Sequence, residues 1–258
     1  MKNIILSIGF ILVSALLSAQ NVLEASGERS TQKISVPKYT KIAIDEKLDV
    51  TLVNEKNDHI YIDADDAIHP IIKTTVEQGT LKVALVFPKG VNMVQTGGIR
   101  VKIPVKGTEE LQMKMGTLLA NETIKLSSYK ISLEYLSELN LDLNIQELDL
   151  KISSCRKGYL QLNCKNLTFD AGSLRGLAIT GNAENVTFVS NAIVDLQAYD
   201  LKIQDATFNT SAILKAKLYI EGSIQGKPSG IFELKYKGNA INRIESNPMV
   251  KIIKEEKE

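Results

Sequence analysis

Few of the 258 residues are of the types that do chemistry, and they fall into three small groups. The first is acidic: Asp63, Asp65 and Asp66 in the run IDADDA, close to His59. Paired carboxylates at a fixed separation carry acid–base or nucleophilic work on glycosidic bonds, and a lyase needs a basic group poised over a sugar carbon. The D-x-D-D run could also offer oxygens to Ca²⁺, although it lacks the glycine and distal glutamate of a calcium loop. His59 and His69 stand ten residues apart, whereas a structural zinc site wants four ligands at tight spacing. Aspartate is also a routine turn residue, so the same run serves as a solvated turn closing the HIYIDAD strand.

The second group is Cys155 and Cys164, which flank RKGYLQLN. A bond between them would close a short loop and add roughly 2–3 kcal/mol by restricting the unfolded chain. Cys164 is in phase with Leu160 and Leu162, so a core thiol is the alternative, decided by whether the Cα atoms lie within about 7 Å. The third group is Tyr199 and Tyr219, which occupy equivalent outward positions in neighbouring repeats. They could stack on a sugar or peptide, or simply form a cross-strand pair. Asn121, Asn166, Asn185 and Asn209 begin N-x-S/T sequons, two of them in one repeat register. No catalytic residue, cofactor or metal is assigned.

Whatever these residues do, the elements that hold them are strands. From Ser35 to Pro104 apolar residues alternate with polar ones: Ile42 and Ile44; Leu48, Val50 and Leu52; Ile60 and Ile62; Leu81, Val83 and Leu85; Val101 and Ile103. Period two puts one apolar row on one sheet face, and no long segment keeps a 3.6-residue period. The second half repeats. Leu148-Asp149-Leu150, Leu167-Thr168-Phe169, Val186-Thr187-Phe188 and Ala206-Thr207-Phe208 follow one another at steps of 19, 19 and 20, each preceded by a polar residue (Glu147, Asn166, Asn185, Asp205). A second apolar pair follows each. Units this short cannot bury their own face and stack on their neighbours, so the repeats predict a β-solenoid, right-handed and β-helix-like, with roughly 20-residue coils. Successive coils lie about 4.8 Å apart, which places Phe169, Phe188 and Phe208 in an internal ladder and Thr168, Thr187 and Thr207 on the outer face. About seven coils are expected between Leu111 and Ile244. A sandwich of short hairpins is the alternative.

Composition bounds the rest. Lysine and arginine number 31 against 30 acidic residues, and there is no tryptophan. A balanced chain without basic blocks lacks the footprint of a nucleic-acid binder. The start MKNIILSIGFILVSALLSAQ has one charge, Lys2, a short apolar core and a small-residue exit, the pattern of a signal peptide cleaved after Ala19 or Gln20. No later stretch approaches the roughly 18 apolar residues of a spanning helix, so no transmembrane segment is expected in the mature chain. The organisation expected is therefore 1–20 signal peptide, 21–33 flexible leader, and one β domain over 34–248. That domain divides into N-terminal strands (34–105) and coils (106–248), with 249–258 a charged tail.

The segment YTKIAIDEKLDVTLVNEKNDHIYIDADDAIHPIIKTTVEQGTLKVAL (Tyr39 to Leu85) resembles the opening of the head GIN domain, labelled a putative autotransporter adhesin head in exported bacterial proteins. LKYKGNAINRIES (Leu234 to Ser246) is similar to its closing "Y-x-G-N-P-x-hydrophobic" element, with Ala240 in place of proline. Eroded copies of its serine- and glycine-rich repeat survive as MGTLL (Met115 to Leu119), AGSLRGL (Ala171 to Leu177), SNAIVDL (Ser190 to Leu196) and TSAILKA (Thr210 to Ala216). The resemblance implies export, a solenoid-like fold and a role at the cell envelope, while fold alone does not fix function. The expected function is a non-catalytic, adhesin-like binding or scaffolding protein, in the periplasm or at the surface, whose partner is an envelope protein or glycan. One alternative is a carbohydrate-active enzyme on a β-helix. Another is a periplasmic accessory protein that pairs through a solenoid end, where backbone is unpaired.

Overall fold

The computed structural model describes residues 21–256 apart from positions 96, 175 and 246, so the expected signal peptide lies outside the described residues. The chain opens with β1 (Asn21–Glu24), β2 (Arg29–Ser35), β3 (Lys41–Ile44), β4 (Leu48–Lys56) and β5 (His59–Asp65). A 3-10 turn at His69–Ile71, started by Pro70, leads to β6 (Ile72–Glu77), β7 (Thr80–Leu85), β8 (Val91–Gln95) and β9 (Arg100–Lys106). The body follows as β10 (Glu110–Ala120), β11 (Ile124–Cys155), β12 (Gly158–Ser173), β13 (Leu177–Ser190), β14 (Val194–Thr210) and β15 (Leu214–Gly226). β16 (Phe232–Lys237), β17 (Ile241–Asn242) and β18 (Val250–Lys254) close it. Together they form a β-solenoid of about 8 turns with ~19-residue coils.

The stack is parallel from β18 through β16 and β15 down to β10. It does not stop there. β3 and β4 both lie in parallel on β10, with β7 on β3 and β9 on β4, so the N-terminal strands are lower coils of the same stack. That continuity raises the coil count above the seven expected from the second half. Antiparallel pairing appears at the N-terminal end, where β5 pairs β9, β2 pairs β5 and β6 pairs β7.

Two segments depart from the reading of the sequence. The expected flexible leader contains β1, which pairs β8, and β2, which pairs β5 over seven residues. Its polar side chains concealed an edge strand, which needs only backbone partners on one side. The expected charged tail contains β18, whose Val250 is buried and which pairs residue for residue with Phe232–Tyr236. Counting its charges concealed the Val-x-Ile alternation that adds the last strand to the stack.

Register is what turns the repeat into a core. Leu150, Phe169, Phe188 and Phe208 are directly stacked partners on successive strands. The Phe169–Phe188 ring centroids are 6.2 Å apart, and Phe188 and Phe208 lie nearly parallel at 4.9 Å. Phe208 meets Phe232 edge-on at 5.0 Å, extending the expected ladder by one ring. Each buried ring contributes about 1.5–3 kcal/mol, and each aromatic contact about 0.5–1.5 kcal/mol more. Thr168, Thr187 and Thr207 stack on the outer side as expected. Where an inward position must pass close beneath the previous coil, glycine fills it. Gly181 has φ +111°, and a Cβ there would stand 1.9 Å from the Leu162 carbonyl oxygen.

Candidate functional site

Along β11 the inward positions are Leu141, Leu143 and Ile145, then Leu148 and Leu150. The phase slips by one residue between Ile145 and Leu148, and the outer face is indented there. Because coils stack in register, the indentation repeats and becomes a groove running across the strands. Its volume is about 570 Å³. One wall is the column Asn144, Asn163, Asn182 and Lys202, whose members are register partners on β11 to β14. The other wall holds Gln146, Lys165, Glu184 and Gln204, and the floor is Ile145, Cys164, Ala183 and Ile203.

The shoulder beside the groove is fixed by a polar ladder. Asn166 Nδ2 donates to Glu147 Oε1 at 2.7 Å, and Asn185 Nδ2 donates to Asn166 Oδ1 at 2.8 Å. Ser223 Oγ donates to Asp205 Oδ1 at 2.6 Å one coil further on. The polar residue that precedes each repeat is thus a structural rung, and the sequons at Asn166 and Asn185 fall on it. Groove and shoulder differ in this respect: the shoulder amides bind each other, whereas the carboxamides of Asn144, Asn163 and Asn182 face the groove and bind no protein group among the described residues. A carboxamide both donates and accepts, so a column of them offers paired hydrogen-bonding sites at every coil.

The three groups singled out from the sequence lie elsewhere or do something else. Asp63 pairs with Arg29 Nη2 at 3.3 Å and Arg100 Nη1 at 3.1 Å. Partial burial raises its pKa, but the two guanidinium groups outweigh that and hold the carboxyl below its usual range. Asp65, only 2 % exposed, accepts from Ser26 N (2.8 Å), Ser26 Oγ (2.9 Å), Gly27 N (2.7 Å) and Ala67 N (3.0 Å). Burial pushes its pKa up, and these bonds more than reverse the push. Asp66 accepts from Ser30 Oγ. The three carboxylates are spent on three different anchors, and no group of three or more His, Cys, Asp or Glu among the described residues could hold a metal ion. His59 lies between Asp58 (Nδ1, 2.6 Å) and Glu55 (Nε2, 3.1 Å), and His69 Nε2 is 3.0 Å from the Ser30 carbonyl.

Cys155 and Cys164 are both buried and both free. They sit at different stations around the coil: Cys164 pairs Ala183 under the groove, while Cys155 lies beyond Ser154, the partner of Ser173. The two thiols are not bonded to each other in this structure. Cys155 Sγ donates to the Lys157 carbonyl at 3.3 Å. Burial pushes the Cys164 thiol up to about 11, so it is an inert part of the groove floor.

Tyr199 and Tyr219 do not form a platform. The register breaks between Ala198 and Lys202, so Tyr219 pairs Lys202 and Tyr199 is left in the bulge. There Tyr199 Oη donates to Glu255, and Lys237 Nζ sits 5.1 Å over its ring. Burial and that carboxylate push its pKa up to about 12. Tyr219 Oη donates to Glu221. The groove itself was not singled out from the sequence. Its signal was present, since residues 144, 163, 182 and 202 recur at the same 19, 19 and 20 steps as the apolar repeat, but carboxamides do not titrate and drew no attention.

Comparison with known proteins agrees with this architecture. A family model described as putative auto-transporter adhesin, head GIN domain, matches residues 38–240. A putative lipid binding protein from Parabacteroides distasonis is similar in structure with a TM-score of 0.64, at 16% identity over 90% of this chain and 96% of its own. A putative adhesin from Parabacteroides merdae gives 0.56, at 18% identity over 92% and 98%. A putative adhesin from Bacteroides fragilis gives 0.55, at 16% identity over 90% and 96%. At these identities the likeness is one of fold. No curated protein matches the chain in sequence. No helix among the described residues is long and apolar enough to cross a membrane.

Proposed function

The chain belongs to the head GIN domain family of putative auto-transporter adhesins, and on that premise we propose that it is an exported, non-catalytic envelope protein that holds an extended glycan in its flank groove. The observation that carries this reading is the stacked column Asn144, Asn163, Asn182 and Lys202. It presents hydrogen-bonding side chains at about 4.8 Å intervals, on a rigid wall, to anything lying along the stack. A hydroxyl-rich chain can meet donors and acceptors at each coil without being bent. The amides of the column bind and orient a ligand and do not move protons at neutral pH, while Glu184, Glu221, Lys165 and Lys202 add charges of both signs to the lining. Two of the solved structures of similar fold are named as adhesins, which accords with a binding role. The signal-like residues 1–20 support export, the part of this reading that would bring the groove to envelope polysaccharide.

The test is a microarray of envelope polysaccharides and peptidoglycan fragments, probed with residues 21–258. Binding to one glycan class, reduced at least tenfold in Asn163→Ala/Asn182→Ala and unchanged in Thr187→Ala on the outer face, is the expected result. Signal at background over the whole array, or equal binding by the groove variant, contradicts it. Release of reducing ends from a bound glycan returns the protein to the enzymes.

A further inference from the structure

A second cavity, of about 540 Å³, lies at the N-terminal end of the stack, remote in sequence from the groove. It is lined by Lys38, Lys56 and Lys106, with Tyr39, Asn57 and Asp58. Lys56 and Lys106 are direct register partners on the parallel strands β4 and β9. Like charges placed opposite each other on neighbouring strands destabilise a sheet, so this pairing costs folding energy. Other lysines of the stack have carboxylate partners on a neighbouring coil: Lys41 with Glu110 at 3.3 Å, Lys130 with Asp149 at 3.8 Å and Lys151 with Asp170 at 3.0 Å, and of the register-paired lysines Lys217 and Lys235 the latter lies 3.9 Å from Glu255. Among the described residues, Lys38, Lys56 and Lys106 make no ion pair.

The acidic member of the lining offsets only one of the three charges. The Asp58 carboxylate is held by His59 Nδ1 at 2.6 Å. The wall behind is rigid: Tyr39 is buried, its Oη donates to the Pro104 carbonyl at 2.7 Å, and Asn57 Nδ2 donates to the Tyr39 carbonyl. Lys106 also lines an adjoining cavity of about 450 Å³ with Lys125 and Glu122, the latter accepting from Asn54 N at 2.9 Å. Three ammonium groups against one carboxylate leave an excess of two positive charges, which complements the charge of a phosphate dianion. Lysine binds phosphate as a point charge, without needing the planar fork of arginine.

We propose that the Lys38–Lys56–Lys106 cavity is a phosphate-binding site, separate from the groove. The phosphate can be soluble or can be the headgroup of a lipid, and the experiment separates the two. Inorganic pyrophosphate is titrated into residues 21–258 by calorimetry at low and at 0.3 M salt. Co-sedimentation is measured in parallel with vesicles of phosphatidic acid in phosphatidylcholine and of phosphatidylcholine alone. Saturable, salt-sensitive binding to pyrophosphate assigns a soluble phosphate, and retention on the acidic vesicles alone assigns a headgroup; either supports the site. Lys56→Gln/Lys106→Gln is expected to weaken binding at least tenfold, and Lys215→Gln/Lys251→Gln, at the far end of the stack, to leave it unchanged. Because the two lysines repel each other, each single glutamine variant is also expected to raise the Tm of the free protein. Absence of binding to both probes, equal loss in the distant variant, or a lowered Tm in the single variants overturns the proposal. Glycan binding by the groove is independent of all these outcomes.

Discussion

Asp65 shows how an acidic residue chosen for its chemistry can be claimed by the fold instead. Its carboxylate draws in the backbone of Ser26 and Gly27 and so ties the start of the chain to the end of β5. Its pKa is lower in the folded protein than in the unfolded chain. The stability it contributes is therefore fully present above the ordinary aspartate value of about 3.9 and is lost as pH falls through the lower folded value. Hydrogen exchange at the Ser26, Gly27 and Ala67 amides is expected to show protection at pH 7 that disappears under acid conditions. Asp65→Asn is expected to lose much of that protection at pH 7 and to respond little to acid. Equal protection in the variant contradicts the anchor. The turn role was legible, because aspartate ending a strand is ordinary turn chemistry. Its partners were not, because they lie 39 and 38 residues away in a segment with no apolar pattern. The same limit applies to the cysteines: a spacing of nine permits a bridge, and in the fold both are buried and free.

At the scale of the coil, the repeat was legible because stacking in register makes each inward position see its own equivalent. The step of 19 residues between the Phe169 and Phe188 repeats therefore specified both the fold and the ladder. Phe188 has a neighbouring ring above and below, and Phe188→Ala is expected to cost about 3–5 kcal/mol in urea unfolding. Thr187→Ala, one residue away on the outer side, is expected to stay within about 0.5 kcal/mol. Similar losses in the two variants are incompatible with the in/out assignment. The register shift at Ala198–Lys202 was not legible, since an inserted bulge leaves the average period intact while moving Tyr199 out of line with Tyr219. The groove shows the converse. The column's residues were in plain register, yet carboxamides form no familiar catalytic pattern, and only the indentation at Ile145 gives them a common face.

For the whole molecule, the two ends of the stack are finished differently. The N-terminal end is turned over by antiparallel strands, and the C-terminal end stops at β18, whose edge carries Lys251 and Lys254. Charged residues on an open edge discourage pairing with other chains. Truncation after Asn247 removes that strand and uncovers Phe232 to Tyr236, and light scattering is expected to show self-association at micromolar concentration. A truncated chain that stays monomeric and equally stable shows that β18 guards nothing. Between those ends the stacked carboxamides of Asn144, Asn163 and Asn182 line the groove, and the account of function rests there. The most direct measurement is a titration of ¹⁵N-labelled protein with a glycan retained on the array, following the side-chain amides. The account predicts that Asn144, Asn163 and Asn182 shift together and saturate with one affinity, while Asn166 and Asn185, bound to their own ladder, stay still. Shifts confined to the ladder or to another face, with the three groove amides unmoved, contradict it.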